Sequence, residues 1–190
     1  VNLSRVYLDA VFFPKIYEQP NILHQEGWHY ELTGPEDELK LRGVVYNEMR
    51  GAFSSPDQII ERYNQQTQFP DNTYGCESGG DPKDIPQLTY DNFLAFHRKH
   101  YHPSNSHLFL YGDVDADALM EIMDREYLGH FKKDTEAVTI EAQKPFGKMK
   151  KLELQYPVEE GKDISDQYHL SLNYTFGQNP DYNLTQAIVV

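Results

Sequence analysis

Residues 39–56, Leu-Lys-Leu-Arg-Gly-Val-Val-Tyr-Asn-Glu-Met-Arg-Gly-Ala-Phe-Ser-Ser-Pro, constrain the fold more than any other stretch of the chain. Read at helical period, Leu41, Val45, Glu48 and Ala52 share one stripe, three apolar residues and one acid. An ionised carboxylate on a core-facing stripe is costly unless a cation, several N–H donors or a metal accompanies it. The pattern leaves three readings of Glu48: an acid at the edge of the stripe, a partner of Arg42 or Arg50, or a metal ligand. Gly43 and Gly51 each weaken a helix by about 1 kcal/mol relative to Ala. Such glycines predict close approach of another backbone.

The wider sequence places this stretch among other elements. Residues 3–18 read as an apolar-rich helix that Pro14 interrupts or ends. Residues 24–32 alternate as a strand, with Trp28, Tyr30 and Leu32 on one side and His29 and Glu31, to which no role is assigned, on the other. Ser55-Pro56-Asp57-Gln58 carries the signals of a helix start, a serine cap, a proline in the first turn and the Gln of a capping box; this helix stops near Gln68. Residues 70–88 form a long loop rich in Pro and Gly, of a length that is commonly functional or mobile. Its Ser78-Gly79-Gly80-Asp81 lacks the Lys and the glycine spacing of a phosphate-binding loop.

Thr89 is expected to cap a helix that ends before His102-Pro103. His97, His100 and His102 cluster at its C-terminus, where histidines suit the helix dipole and the last carbonyls; no nearby Cys or acid completes a metal set. Residues 107–114 alternate as a strand. Asp115 or Asp117 caps the next helix, whose buried stripe is Leu119, Ile122, Met123 and Tyr127, and Gly129 ends it. Residues 132–145 are polar and aperiodic. Residues 149–156 and 167–176 read as two strands joined by Glu159-Glu160-Gly161-Lys162-Asp163, and a helix begins near Asp181.

Three stretches resemble one known family. Gly43-Val44-Val45-Tyr46-Asn47-Glu48-Met49-Arg50-Gly51-Ala52-Phe53 is the first. Ser78-Gly79-Gly80-Asp81-Pro82 with Ile85-Pro86-Gln87-Leu88-Thr89 is the second, and Phe96-His97 running to Tyr101-His102-Pro103-Ser104-Asn105 the third. In order and spacing they are similar to the presequence-protease branch of the pitrilysin/insulin-degrading-enzyme superfamily, and the likeness runs from about residue 3 to the C-terminus. These enzymes are inverted zincins, in which a His-x-x-Glu-His helix supplies two ligands and the general base and a distant Glu completes the zinc site.

The resemblance implies an α+β fold, mainly antiparallel sheet flanked by helices, as in one half of a pitrilysin or mitochondrial-processing-peptidase-like enzyme. It implies that Glu48 binds Zn²⁺ and makes the flanking Tyr46 and Asn47 candidates to support it. It also makes Ser78, Gly79, Gly80 and Asp81 a candidate loop of the catalytic chamber. None of the eight histidines begins or ends a His-x-x-Glu-His. The base and both His ligands are therefore expected upstream of Val1, and no catalytic residue within the chain. The sequence starts without Met, in what reads as mid-helix, and is expected to be a piece of a longer protein. The expected organisation is residues 1–131 from a zinc-binding domain, 132–147 as linker and 148–190 opening a second, metal-free domain.

The expected function is a segment of a zinc metalloendopeptidase that degrades unstructured peptides in a closed chamber, inactive alone. Its partners would be peptide substrates and the remaining halves of its own polypeptide. The alternatives are a non-catalytic scaffold relative and an acidic peptide-binding module. Net charge is −13, with no basic patch, which argues against nucleic acid and suits basic peptides. No apolar run approaches the 18 or so residues of a membrane span. The single Cys76 precludes an internal disulfide and favours a reducing compartment. By the resemblance, that is the cytoplasm for a bacterial protein, which is the expectation preferred, or an organelle matrix for a eukaryotic one.

Overall fold

The computed structural model describes residues 2–134 and 138–175. Five helices and one two-stranded sheet follow in the order α1 (Asn2–Phe12), β1 (His29–Glu31), β2 (Lys40–Arg42), α2 (Val44–Ala52), α3 (Pro56–Gln68), α4 (Tyr90–His100) and α5 (Ala116–Glu126). The chain divides into two compact units, Val1–Tyr46 with Lys83–Thr139, and Asn47–Pro82 with Ile140–Val190. The boundary falls inside α2.

In the first unit, α1 stops at Phe12 as Pro14 requires, and a 3₁₀ turn follows at Lys15–Tyr17. Leu8 and Phe12 of α1 pack on Leu119 and Met123 of α5 and on Tyr127, which caps it; Val11, Leu110, Leu128 and Phe131 lie around them. Of the helix stripe expected at Leu119, Ile122, Met123 and Tyr127, Leu119, Met123 and Tyr127 are in the core and Ile122 is only half-buried. Polar bonds close its edge. Arg5 Nε and Nη2 donate to the two carboxylate oxygens of Glu126 at 2.7 Å each, and the Tyr127 hydroxyl donates to Arg5 O at 3.0 Å. Asp115 accepts from Ala118 N at 3.1 Å and Thr89 from Asn92 N at 3.2 Å, so both helix starts are capped as the sequence predicts. At the start of α3 the hydroxyl of Ser55 makes no capping bond, although Ser55 is extended and proline follows it.

Helix α4 is tied to the end of α1. Tyr90 OH donates to Ile16 O at 2.5 Å, and His97 Nε2 donates to Val11 O at 2.9 Å. The sheet pairs His29 with Arg42, Tyr30 with Leu41 and Glu31 with Lys40. Only 29–31 of the strand expected at 24–32 forms. Residues 23–27 wind into a π-turn that buries Leu23. Gly43 explains the tight junction into α2: at φ +148°, any Cβ there would strike the backbone of Gly27 and Trp28. The close approach expected at Gly43 is real, whereas a Cβ on Gly51 would meet nothing within 4 Å.

In the second unit α3 anchors the long loop. Gln65 Nε2 donates to Tyr74 O at 2.6 Å and to Cys76 O at 3.2 Å, while Asn72 accepts from Tyr74 N at 3.0 Å. Later segments attach to the same scaffold. Asn64 donates to Ser171 Oγ at 2.9 Å, and Gln143 Oε1 accepts from Asp71 N at 3.0 Å.

The mainly antiparallel sheet expected from the sequence does not form among the described residues. Residues 107–114, 149–156 and 167–175 join no ladder, and the first of them bends at Gly112, where Val114 N donates to Gly112 O at 3.1 Å. Alternation marks which side chains share a face; a strand also needs a neighbour for its peptide groups. Of 107–114 only Leu110 reaches the core, and Phe109 and Tyr111 are 87% and 92% exposed. The arms 149–156 and 167–175 meet at the Tyr156 hydroxyl, which donates to Gln167 O at 2.6 Å. The helix expected from Asp181, like Phe176, lies outside the described residues.

Two expected outcomes follow from the first unit. Phe12→Ala opens a cavity in a thin core and should lower unfolding free energy by about 3–5 kcal/mol, measured by urea denaturation. The Arg5 guanidinium, followed by that of Arg125, holds the Glu126 carboxyl at about 2, below its ordinary 4.5. A depressed carboxylate contributes stability above its unfolded value and loses it as pH falls through the folded one. The gap in urea midpoint between the parent and Glu126→Gln should therefore be constant above about pH 5 and shrink steadily towards pH 2.

Candidate metal centre

Helix α2 begins at Val44 and carries Glu48 in its second turn. The expected buried stripe is not there. Leu41 lies in β2, separated from the helix by the kink at Gly43, and Val45 and Ala52 are only half-buried. Glu48 itself is exposed, and among the described residues it forms no ion pair or hydrogen bond. The face that packs is one step round the helix, at Met49. Residues adjacent in a helix diverge by about 100°, so a packed Met49 leaves Glu48 in solvent.

Neither suggested arginine neutralises the acid. Arg42 Nε donates to Glu31 Oε2 at 2.9 Å across the sheet, and Arg50 is exposed without a bond to Glu48. Tyr46 is half-buried and Asn47 exposed, and neither side chain is engaged in a hydrogen bond among the described residues. The structure brings neither to the Glu48 carboxylate.

The Ser78–Asp81 loop approaches α2 in the same unit. Gly79 lies so close to Met49 that a Cβ on it would overlap the Met49 sulfur. A side chain at that position would require the flexible end of Met49 to move aside. Asp81 pairs with Arg62 of α3, and both side chains are 14% exposed. Sequence reasoning missed Arg62. The only trace of it was an arginine on a helix otherwise rich in Gln and Asn.

The histidines near α4 are dispersed among separate tasks. The Nδ1 of His97 lies 2.7 Å from the Tyr17 hydroxyl, and its Nε2 is bonded to Val11 O. Since a carbonyl can only accept, Nε2 carries hydrogen and Nδ1 is free to accept from Tyr17 in the neutral ring. His100 lies on the Phe96 ring, and His102 Nδ1 accepts from Ser104 N at 3.2 Å. Among the described residues no three of His, Cys, Asp and Glu gather where they could hold a metal ion. A zinc site draws three or four protein ligands. The oxygen donor of Glu48 suits zinc, and it is open to solvent, but it amounts to one ligand. No helix among the described residues is long and apolar enough to cross a membrane.

Comparison with known proteins gives these features a context. The sequence profile described as the Peptidase M16 inactive domain matches residues 87–189. The chain is 48% identical over 181 residues to "Protein HypA" of Clostridium perfringens, covering 95% of this chain and 19% of that protein. It is 44% identical over 181 residues to "Presequence protease 1, chloroplastic/mitochondrial" of Arabidopsis thaliana, covering 94% of this chain and 17% of that protein. With "Presequence protease, mitochondrial" of Mus musculus it shares 41% over 145 residues, 75% of this chain and 14% of the relative. The chain thus spans about a fifth or less of the length of these relatives. A profile match over more than half of its residues, with presequence proteases among its relatives, establishes that the chain belongs to the M16, or pitrilysin, family of metallopeptidases.

Proposed function

We propose that the chain is a segment of a zinc-dependent metalloendopeptidase and that Glu48 supplies one carboxylate ligand of its zinc site. The observation that carries this reading is membership of a metallopeptidase family, in a chain whose helix α2 leaves the Glu48 oxygens accessible and, among the described residues, unpaired. Zinc, when bound, polarises a peptide carbonyl and acidifies a water. The contribution of this chain is a negative oxygen donor on α2; Tyr46 and Asn47 flank it in sequence, and a supporting role for them would need side-chain positions other than those the structure shows. The His-x-x-Glu-His that would complete the site is proposed to lie upstream of Val1. The substrates are proposed to be unstructured peptides held in a chamber formed with the remaining halves of the polypeptide, the Ser78–Asp81 loop forming part of its wall.

One observation favours a mixed role within the chain. The matched profile is that of an inactive domain and covers 87–189, beyond Glu48. Residues 87–189 are then scaffold, and the metal chemistry is confined to α2. The division into 1–131, 132–147 and 148–190 remains our proposed domain organisation, though the matched stretch runs through the linker. The plant and mouse relatives are named as organellar proteins, which suits an organelle matrix and lends no support to the preference for cytoplasm.

In the full-length protein, Glu48→Gln should lower both zinc content, read by atomic absorption, and peptide hydrolysis by orders of magnitude. Unchanged zinc and activity would remove Glu48 from the site. The isolated 190-residue chain should bind zinc weakly and hydrolyse no peptide. Stoichiometric zinc that survives mild chelation would show that the chain gathers ligands of its own.

A further inference from the structure

The strongest unassigned feature is the guanidinium of Arg62. It rises from α3, pairs with Asp81 of the Ser78–Asp81 loop, and stacks with its Cζ 4.4 Å from the centre of the Phe53 ring. Phe53 ends the α2 turn and its N–H donates to Met49 O at 3.0 Å. Met49 in turn receives Gly79 from the same loop. Arg62, Asp81, Gly79, Met49 and Phe53 therefore close a ring of contacts. Met49 and Phe53, four residues apart, share one helix face, and two independent contacts grip that face, one from the loop and one from α3. Gripping it fixes the rotation of α2 about its axis, and with it the direction of Glu48, the residue before Met49.

The pair is more than a surface ion pair. Both side chains are shielded from most solvent, where a charge pair is screened far less than at the surface. Arg62 Nε is buried and has no hydrogen-bond partner, so Asp81 is the acceptor on which this largely shielded cation depends.

We propose that Arg62, acting through Asp81 and Phe53, is a positioning residue for the Glu48 carboxylate and tunes its affinity for the metal. The inference rests on the reading of Glu48 as a zinc ligand. Side chains that orient a metal ligand without touching the metal commonly change affinity by about 10- to 100-fold. Arg62 is assigned to that class.

The test uses the full-length protein and measures zinc dissociation by competition with a chromophoric chelator, alongside melting temperature. Arg62→Met and Asp81→Asn should each weaken zinc binding by about 10- to 100-fold. The double variant should be no weaker than the weaker single, as expected for residues acting as one unit. With zinc saturating, KM of Arg62→Met for a peptide should stay near that of the parent. Asp81→Asn keeps the shape of the loop and carries the test if Arg62→Met does not fold. Native zinc affinity in Asp81→Asn with a lowered melting temperature would overturn the proposal, reducing the pair to a structural pin. Glu48→Gln, measured in parallel, separates the two claims. If it abolishes zinc binding while Asp81→Asn leaves it intact, only the Arg62 inference fails. If Glu48→Gln leaves zinc binding intact, the reading of Glu48 fails and the inference with it.

Discussion

A peptide group that joins neither helix nor sheet still requires a hydrogen-bond partner, and the second unit of this chain is built around that requirement. Its long loop has too little apolar surface to be held by burial. Helix α3 supplies the bonds instead, with Gln65 on two loop carbonyls and Arg62 on Asp81. These positions are three residues apart and so lie on one helix face. Gln and Arg on a helix usually face water; here they replace the missing ladder. The placement of the loop, and of the α2 turn under it, depends on those side chains.

The position of Glu48 changes the physical argument for it. A buried carboxylate needs a compensating cation, so burial would have been evidence for one. An exposed carboxylate needs nothing, and its solvation does not point to a metal. The case for zinc therefore rests on family membership and on the accessibility of the oxygens, joined by the packed contacts around Met49 that aim the neighbouring residue outward.

The helices were legible because their signals are local. Pro14 acts on the residue before it, and Thr89 and Asp115 on the next three, and each acts as expected. The Leu119, Met123 and Tyr127 stripe needed only periodicity and one apolar surface to meet. Leu41 was misread because a helical period was continued through Gly43, whose backbone belongs to a junction and not a helix. The strands were not legible for a different reason: pairing depends on residues distant in sequence, and alternation in 107–114 carries no information about whether a neighbour exists. Arg62 was missed since an ion pair nineteen residues apart leaves no pattern in a single sequence.

The unladdered segment at 107–114 has a consequence for how the chain behaves in solution. Its peptide groups join no sheet, and Phe109 and Tyr111 project outward, which is the description of an open template for another copy. The opposing force is mutual repulsion between chains that each carry −13. Repulsion of this kind fades within a Debye length, about 10 Å at 0.1 M salt and about 3 Å at 1 M. Self-association of the bare polypeptide should therefore rise with ionic strength.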